Sequence, residues 1–422
     1  MKKILVIAYI FPPRGGSGVQ RTLKFIKYLP DFNWDIFVLT AKNKPAYEKD
    51  ETLLKELPKN IKIYRTQNLI SEGEVKSEKE KKGFDLKKKI SNFILNYLLL
   101  PDYIIGWFPL TLLKGIKIIK NEKIDIIYST SYPFTDHLIG YFLKKITRKP
   151  WVSDFRDPWS DFAPYIFDSK NRNKINSYLE KKFIKESDKV IVTCEELKKF
   201  WDKKYNIKNE EKITVITNGY DKNDFNNIKK DKQKLKKLTI VFTGRFNNEM
   251  NASITFFKAL SNIENNYDKK YKDKIQFKLV GSSGDLSNIL RKYKINDVVD
   301  CTGYVPHKKS IEYLYSADIL LLTRAEGKGI NLTLPGKLFE YIVTKKPILA
   351  LVMKGATSKF IKKYDLGCVI KPNDINEIEK FLIDLINKEK INFEYNIDTE
   401  KFERKYLTKI LSENLEKIIN EN

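Results

Sequence analysis

The sequence is poor in the residues that cross-link or metallate small proteins. It has three cysteines among 422 residues, Cys194, Cys301 and Cys368, and they lie far apart in the chain. This spacing excludes a disulfide scaffold and a cysteine-based zinc module, and it is typical of a protein from a reducing cytoplasm. The two histidines, His137 and His307, are too few for a histidine-rich metal site.

Acidic side chains are also in the minority. The 54 Asp and Glu residues stand against 79 Lys and Arg, which gives a formal net charge of +25. Three interpretations of this charge stay open: a nucleic-acid partner, a membrane surface, or a lysine-rich solvated surface. The lysines are spread through the chain without an RNA-binding aromatic motif or a zinc finger, so nucleic acid is the weakest of the three.

Long apolar runs are rare. One stretch, residues 90–113, approaches the length of a membrane span, about 20 residues, but Pro101, Asp102 and Pro109 interrupt it. A charge near the centre of a span costs a few kcal/mol, so a span is disfavoured. We expect a helix-turn-helix that packs against a first domain. The alternative is a surface anchor in which Lys87–Lys89 lead into an apolar helix.

The chain does contain a repeated alternation of short β-branched runs and longer helical patterns. The runs predict seven strands and then six more, at residues 4–11, 36–41, 61–66, 125–130, 150–155, 189–194 and 213–219, and at 238–244, 275–281, 298–303, 319–324, 347–352 and 368–372. Nearly continuous apolar runs are typical of parallel strands that are covered on both faces. The pattern therefore predicts an α/β protein with two doubly wound, Rossmann-like domains.

The domain boundaries follow from composition. Residues 1–223 form the predicted first domain and residues 238–398 the second, joined by a linker at 224–237 that is rich in Lys, Asn and Asp. Residues 399–420 place apolar side chains at helical spacing. We expect an amphipathic C-terminal helix there, one that can pack back on the first domain.

A glycine-rich loop follows the first predicted strand. Gly15, Gly16 and Gly18 precede a helix, so backbone N–H groups can approach an anion or a sugar closely. Arg21 stands where the dinucleotide fingerprint has its third glycine, and no Gly-Lys-Ser/Thr follows. A purely structural turn remains equally open.

A second motif, Leu-Pro-Gly-Lys-Leu-Phe-Glu-Tyr at residues 334–341, opens a predicted helix in the second half. The N–H groups at Gly336, Lys337 and Leu338 can hold a diphosphate, helped by the Lys337 charge. Glu340 can accept two hydrogen bonds from vicinal ribose hydroxyls, because an ionised acid only accepts. The alternative is a solvated carboxylate paired with Lys337 or Lys345.

Candidate side chains in the first half follow the strand at 150–155. Asp154, Arg156 and Asp157 come at its carboxyl end, where α/β folds bind ligands. The proline after Asp157 holds that residue extended, so its carboxylate can orient a hydroxyl group. Pairing with Arg156 is the alternative. Trp151 and Trp159 are candidates for stacking on a sugar, and core packing is the other interpretation, the favoured one for Trp151.

Taken together, these motifs resemble the family 4 retaining glycosyltransferases of the GT-B fold that build bacterial surface polysaccharides. The resemblance covers nearly the whole chain and is carried by residues 9–21, 150–159, 215–221, 242–245, 336–341 and 346–349. It implies two Rossmann-like domains that face a cleft. It also implies transfer of a sugar from a nucleoside-diphosphate sugar to a saccharide or lipid-linked saccharide.

The resemblance also assigns residues in the donor half. Arg245 would contact the donor diphosphate, and Glu340 matches the second of two glutamates. Two departures stand out: Met250 and Asn251 replace a lysine that the family usually has, and Leu332 replaces the first glutamate. The loop at 326–331 offers Glu326 or Asn331 as the sugar contact instead.

In the acceptor half, the resemblance suggests that His137 faces the cleft, although a helix-capping or core histidine remains open. Asp157, His137 and Arg156 make up the candidate catalytic set, and Gly15 and Gly16 would complete the donor site on closure. In such families the acceptor attacks from the side of the leaving group, and the departing diphosphate helps to accept its proton. No Asp-x-Asp motif is present to recruit a metal, so we expect metal independence and no cofactor.

The expected partners are a nucleotide sugar and a saccharide or polyprenyl-linked acceptor, in the cytoplasm and with a possible peripheral contact at the inner membrane face. Three other classes stay open. They are a nucleotide-sugar epimerase of the same fold, a non-catalytic basic binding protein and, as a weak option, a nicotinamide-dependent dehydrogenase.

Overall fold

The computed structural model describes residues 1–42, 49–70, 99–166, 169–209, 211–226, 228, 237–246, 251–266, 271, 273–282, 284, 286–387 and 393–421. The chain divides into two compact units. The first unit consists of residues 1–218 and 404–422, and the second unit of residues 219–403.

The first unit is built on a seven-stranded parallel sheet with the strand order β3-β2-β1-β4-β5-β6-β7. Its strands are β1 Lys2–Ile7, β2 Trp34–Ala41, β3 Lys62–Thr66, β4 Ile126–Ser131, β5 Trp151–Phe155, β6 Lys189–Val192 and β7 Ile213–Val215. Its helices are α1 Ser17–Tyr28, α2 Phe108–Glu122, α3 Thr135–Thr147, α4 Lys170–Glu186, α5 Glu195–Tyr205 and, from the end of the chain, α12 Arg404–Glu421.

The second unit is built on a six-stranded parallel sheet with the order β10-β9-β8-β11-β12-β13. Its strands are β8 Leu238–Thr243, β9 Ile275–Val280, β10 Val299–Gly303, β11 Ile319–Thr323, β12 Ile348–Leu351 and β13 Gly367–Ile370. Its helices are α6 Asn251–Asn266, α7 Ser287–Tyr293, α8 His307–Ser316, α9 Lys337–Thr344, α10 Ala356–Lys363 and α11 Ile375–Ile386. The prediction of two doubly wound α/β domains is confirmed.

The strands form where they do because their apolar runs are buried on both faces. In β1 the side chains of Ile4, Leu5 and Ile7 have no exposed surface, and the same is true of Ile126 and Ile127 in β4. A strand in contact with helices on both sides needs such continuous runs rather than alternation. The β-branched runs of this sequence supply them.

The C-terminal helix α12 belongs to the first unit. Leu407, Leu411 and Leu415 are buried on the face that meets α1, and Ser412 Oγ accepts a hydrogen bond of 2.8 Å from Trp34 Nε1. The helix begins at Arg404 rather than at 399, because residues 399–402 form a separate 3-10 turn capped by Asp398.

Asp102, which interrupts the apolar stretch at 90–113, has a structural role. The carboxylate accepts hydrogen bonds from the N–H groups of Phe134 at 2.6 Å and Thr135 at 3.0 Å, and from Thr135 Oγ1 at 2.8 Å. It therefore caps the start of α3, where backbone N–H groups lack helical partners. Burial nevertheless raises the pKa of Asp102, against these hydrogen bonds.

The other boundary predictions have mixed outcomes. Residues 219–223 belong to the second unit rather than the first. The anchor segment at 87–98 and most of the linker at 224–237 lie outside the described residues. Residues 108–122 form α2, with Pro109 in its first turn. Among the described residues, no helix combines the length and the hydrophobicity of a membrane span.

Candidate functional site

A buried ion pair lies inside the first unit, below the carboxyl edge of its sheet. Arg21 of α1 donates from Nε to Asp154 Oδ2 at 2.8 Å and from Nη2 to Asp154 Oδ1 at 2.9 Å. Tyr128 Oη donates to Asp154 Oδ2 at 2.7 Å. Arg21 holds the pKa of Asp154 below its usual range, although burial alone would raise it. Asp154 is thus a structural anchor of β5.

Arg156 fastens the loops at this edge to one another. It donates from Nε to the Ser131 carbonyl, from Nη1 to the Gly18 carbonyl, and from Nη2 to the Tyr132 carbonyl at 3.4 Å. These contacts join the end of β5 to the end of β4 and to the start of α1. Arg156 therefore positions the loop that contains Asp157.

Asp157 is half-buried at the end of β5. Tyr165 lies near it: burial raises the pKa of Tyr165, and the Asp157 charge raises it further. Tyr165 stacks on Tyr132, with ring centroids 5.2 Å apart. The candidate acceptor-side carboxylate thus lies beside an aromatic surface.

His137 is fully buried in the first turn of α3. Its Nδ1 is 2.8 Å from Ser129 Oγ, and its ring centroid is 4.2 Å from that of Phe155. Burial lowers the pKa of the imidazole to about 3, so it is neutral at physiological pH. The structure corrects the expectation that His137 faces a substrate, because the side chain has no exposed surface.

The tryptophan candidates are core residues too. Trp151 is fully buried and donates from Nε1 to Ser129 Oγ at 2.8 Å. Trp159 is 1% exposed and stacks on Phe134 with ring centroids 4.2 Å apart. In this structure neither ring can stack on a sugar.

The loop after β1 is open. Gly16 has a φ of 97°, a conformation that favours glycine, and it directly precedes α1. A Cβ added to Gly16 would meet nothing within 4 Å, and Gly15 beside it is half-buried. A ligand can therefore approach this backbone closely.

In the second unit, Lys337 is the first residue of α9. Its Nζ donates to the Thr243 carbonyl at 2.7 Å and lies 3.8 Å from the ring centroid of Phe242. Burial lowers the pKa of Lys337 to about 7, and the nearby Arg324 charge lowers it as well, while Glu340 opposes this effect. The side chain is held in place and titrates near neutral pH.

The start of α9 leaves backbone donors available. Leu338 donates its N–H to the Pro335 carbonyl at 3.1 Å and its side chain is fully buried, so Leu338 is corrected from a candidate ligand contact to a core residue. Among the described residues, the N–H groups of Gly336 and Lys337 have no acceptor. Gly336 is exposed, and an added Cβ there would meet nothing within 4 Å.

Arg245 is exposed, just after the carboxyl end of β8. Its neighbour Gly244 has a φ of 107°, and a Cβ added there would lie 3.3 Å from Lys337 Nζ. The Arg245 backbone is therefore adjacent to Lys337. Of the two positions that replace the family's lysine, Met250 lies outside the described residues and Asn251 begins α6.

Glu340 lies in the first turn of α9, and its partner is neither Lys337 nor Lys345. Glu340 Oε1 is 3.0 Å from His307 Nε2. His307 Nδ1 lies 3.9 Å from Asp224 Oδ2. Sequence reasoning missed His307. One feature of the sequence could have identified it: His307 is the first residue of a helix that follows the carboxyl end of β10, where α/β folds bind ligands.

Glu326 and Asn331 are exposed and line a cavity of about 450 Å³ within the second unit. The cavity lies between the loop after β11 and the loop after β12, and Arg324 and Thr357 also line it. Arg324, which sequence reasoning did not single out, donates to the Ile330 carbonyl at 3.2 Å. The cavity offers one carboxylate, an amide and cationic groups to a polar ligand.

Comparison with known proteins gives consistent results. Residues 16–224 match the model of Glycosyltransferase Family 4, and residues 223–402 match that of Glycosyl transferases group 1. No curated protein matches the chain at a significant level.

Several solved structures are similar over essentially the whole chain. They include a glycosyltransferase from Rickettsia africae (16% identity, TM-score 0.65, 100% of this chain and 99% of that one). Anabaena HepE in complex with UDP has 14% identity and a TM-score of 0.59 over 100% and 98%. A UDP-GlcNAc 2-epimerase from Methanocaldococcus jannaschii has 14% identity and a TM-score of 0.56 over 99% and 100%. At such identities the likeness shows the fold alone.

Proposed function

The chain belongs to the family 4 type of GT-B glycosyltransferases, and on that premise we propose a specific reaction. The protein transfers a sugar from a nucleoside-diphosphate sugar to a saccharide or lipid-linked saccharide of the cell surface, with retention of the anomeric configuration. The second unit binds the donor, and the first unit binds the acceptor.

The first turn of α9 carries this proposal. Among the described residues, the five residues 336–340 at the start of this helix hold two N–H groups without acceptors, the Lys337 ammonium group and the Glu340 carboxylate. A helix N-terminus with a lysine suits a diphosphate, because the helix dipole and the cation both favour negative charge. Arg245 follows β8 next to Lys337 and adds a guanidinium that can hold phosphate oxygens in two hydrogen bonds.

The remaining parts of a donor molecule have matching groups nearby in the second unit. The Glu340 carboxylate can accept hydrogen bonds from the two ribose hydroxyls. The cavity lined by Glu326 and Asn331 offers both acceptors and donors to a sugar. The structure of HepE, a protein of similar fold, holds UDP, which supports a nucleotide as the ligand class.

In the proposed reaction, an acceptor hydroxyl oxygen bonds to the anomeric carbon while the bond from that carbon to the diphosphate oxygen breaks. The hydroxyl proton passes to the departing diphosphate. Asp157 orients the acceptor hydroxyl, and Arg156 positions the Asp157 loop. Lys337, Arg245 and the helix N–H groups meet the charge that develops on the diphosphate, so we propose that no metal is needed.

An activity assay tests this proposal. Purified protein is incubated with a panel of nucleotide sugars, with and without a lipid extract of cell membranes, and released nucleoside diphosphate is measured. We expect release of nucleoside diphosphate that depends on the extract. Glu340→Ala should lose at least about a hundredfold of this activity, since a charge-assisted hydrogen bond contributes ~1.5–3 kcal/mol and Glu340 would accept two from the ribose in the proposed complex.

Glu377→Ala is the matched control, because Glu377 is an exposed glutamate in the first turn of α11 in the same unit. It should keep full activity. If the protein converts the nucleotide sugar alone into an isomer, the proposed transferase activity is contradicted and the protein is an epimerase. One protein of similar fold is a UDP-GlcNAc 2-epimerase.

A membrane-bound acceptor agrees with the surface of the first unit. Leu110 and Leu113 of α2 and Phe142 and Ile146 of α3 are exposed large apolar side chains on two packed helices. We call these four residues the apolar face. Exposed lysines flank it, namely Lys114, Lys117, Lys120 and Lys145. Apolar side chains surrounded by lysines suit an anionic bilayer, so we propose that this face rests on the inner membrane surface.

Vesicle flotation tests the membrane contact. We expect the wild type to float with vesicles that contain phosphatidylglycerol, and the triple variant Leu113→Ser, Phe142→Ser, Ile146→Ser to bind at least about tenfold more weakly, because each apolar side chain contributes ~1.5–3 kcal/mol when fully buried. A matched triple control, Leu54→Ser, Leu69→Ser, Tyr178→Ser, changes exposed apolar residues elsewhere in the same unit. Equal flotation of both triple variants would contradict the proposal.

A further inference from the structure

His307 occupies a defined place in the second unit. It follows Pro306 and is the first residue of α8, a helix that packs against both β8 and α9. Its side chain is 47% exposed, whereas the side chains of Glu340 and Asp224 on either side are 28% and 22% exposed. The imidazole therefore lies between two less exposed carboxylates, and one edge of its ring is exposed to solvent.

The contact with Glu340 has a definite polarity. An ionised carboxylate can only accept, so the imidazole donates from Nε2 to Glu340 Oε1 across 3.0 Å. Nδ1 lies 3.9 Å from Asp224 Oδ2, close enough for electrostatic attraction and too far for a direct hydrogen bond. Lys337 Nζ is directed at the Thr243 carbonyl. The hydrogen bond that Glu340 accepts thus comes from His307.

The two oxygens of the Glu340 carboxylate therefore differ in their hydrogen bonds. Oε1 is held by His307, and in the described part of the chain Oε2 accepts no hydrogen bond. We infer that His307 is the positioning residue of the donor site: it fixes Glu340 so that Oε2 is presented to the ribose hydroxyls of a nucleoside diphosphate. The inference rests on the proposed function.

The expected effect follows from pre-organisation. A glutamate side chain has several rotamers of similar energy, and binding a ligand through it carries the entropy cost of selecting one. A hydrogen-bond donor on the protein that already holds the carboxylate removes part of that entropy cost before the ligand binds. We therefore expect loss of the hydrogen bond from His307 to weaken nucleoside-diphosphate binding by about three- to tenfold. This loss of affinity is smaller than the one expected from removing Glu340 itself.

A double-mutant cycle measures this dependence. UDP, GDP, dTDP and ADP are titrated by calorimetry into wild type, His307→Leu, Glu340→Ala and the double variant, and the tightest-binding nucleotide is used throughout. His307→Leu should weaken binding in the wild-type background and have no effect once Glu340 is absent. His307→Gln, whose amide can also donate, should restore most of the affinity. Lys308→Leu, an exposed neighbour on α8, is the matched control and should bind like wild type.

Imidazole NMR provides a spectroscopic readout, because His137 and His307 are the only two histidines of the chain. The fully buried His137 acts as an internal reference. The nucleotide should shift the ring resonances of His307 and leave those of His137 in place, and Glu340→Ala should alter the His307 resonances of the free protein.

Equal losses from His307→Leu with and without Glu340, or undiminished binding by His307→Leu, would overturn the positioning role while leaving the proposed function intact. Failure of the wild type to bind any of the four nucleotides would overturn both.

Discussion

Replacing Arg21 with methionine should lower the free energy of unfolding of the first unit by about 3–5 kcal/mol, because breaking a buried ion pair leaves one charge without compensation. Arg21 and Asp154 are 2% and 0% exposed. In the variant, the Asp154 carboxylate still accepts hydrogen bonds from the hydroxyl groups of Tyr128 and Thr130. Among its described hydrogen-bond partners, it no longer has a cation. The two carbonyls that accept from Arg21, those of Ile216 and Thr217, lose their donor as well.

Urea unfolding followed by tryptophan fluorescence measures this effect without interference from the second unit. All five tryptophans, Trp34, Trp107, Trp151, Trp159 and Trp201, belong to the first unit. Lys62→Met is the matched control, since it breaks an exposed ion pair with Glu122 in the same unit. It should lower the free energy of unfolding far less than Arg21→Met does.

A second variant identifies the cause. Adding Asp154→Asn to Arg21→Met removes the stranded charge and retains an acceptor for Tyr128. It should recover part of the lost stability. Losses of similar size from Arg21→Met and Lys62→Met would contradict the assignment of Arg21 and Asp154 as the anchor of β5.

Replacing Lys337 with methionine should weaken binding of a nucleoside diphosphate by about ten- to hundredfold, the range that corresponds to a charge-assisted hydrogen bond. The free protein holds the Lys337 pKa at about 7, chiefly through burial. A bound diphosphate brings negative charge next to the ammonium group and raises that pKa, so binding takes up a proton whenever the free lysine is neutral.

The sign of the pH dependence follows. Below pH 7 Lys337 is charged before and after binding, and its contribution to affinity is fully present. Above pH 7 the free form is neutral, and affinity should fall by up to about tenfold per pH unit until the pKa of the bound state is reached. Calorimetric titrations between pH 6 and pH 9 measure this slope.

The matched control is Lys345→Met, which removes an exposed lysine just after the last turn of α9. It should keep both the affinity and the slope of the wild type, whereas Lys337→Met should bind weakly and lose the fall in affinity above pH 7. A wild-type affinity that stays constant from pH 6 to pH 9 would exclude a titrating Lys337 from the diphosphate site.

Much of the fold can be predicted from sequence because it depends on local patterns. The apolar runs that become β1 and β4, and the helical spacing of Val19, Leu23 and Ile26 in α1, report which faces are buried. All three of these α1 side chains have no exposed surface. The position of Glu340 in the first turn of α9 follows from the Pro-Gly pair in the same way.

The partners of charged residues cannot be predicted so readily, because tertiary packing selects them. Arg21 meets Asp154 across 133 positions of sequence, and His307 meets Glu340 across 33. No hydrophobic periodicity and no helix-capping pattern in the sequence connects the two residues of such a pair. His137 illustrates the converse: its position at a helix start after a strand is the same for a ligand-facing and a core residue, and only burial separates the two.

The binding of a nucleotide sugar by the second unit through Glu340 is the central claim. A thermal-unfolding screen of nucleotide sugars tests it most directly, because a ligand that binds the folded state raises its stability in proportion to the logarithm of its concentration over Kd. Calorimetric scanning is used, since the tryptophans report on the first unit alone. We predict that at least one nucleotide sugar raises the transition of the wild type and of Glu377→Ala, and that Glu340→Ala loses the effect. The absence of stabilisation by any nucleotide sugar in the wild type, or an equal shift in Glu340→Ala, would contradict the claim.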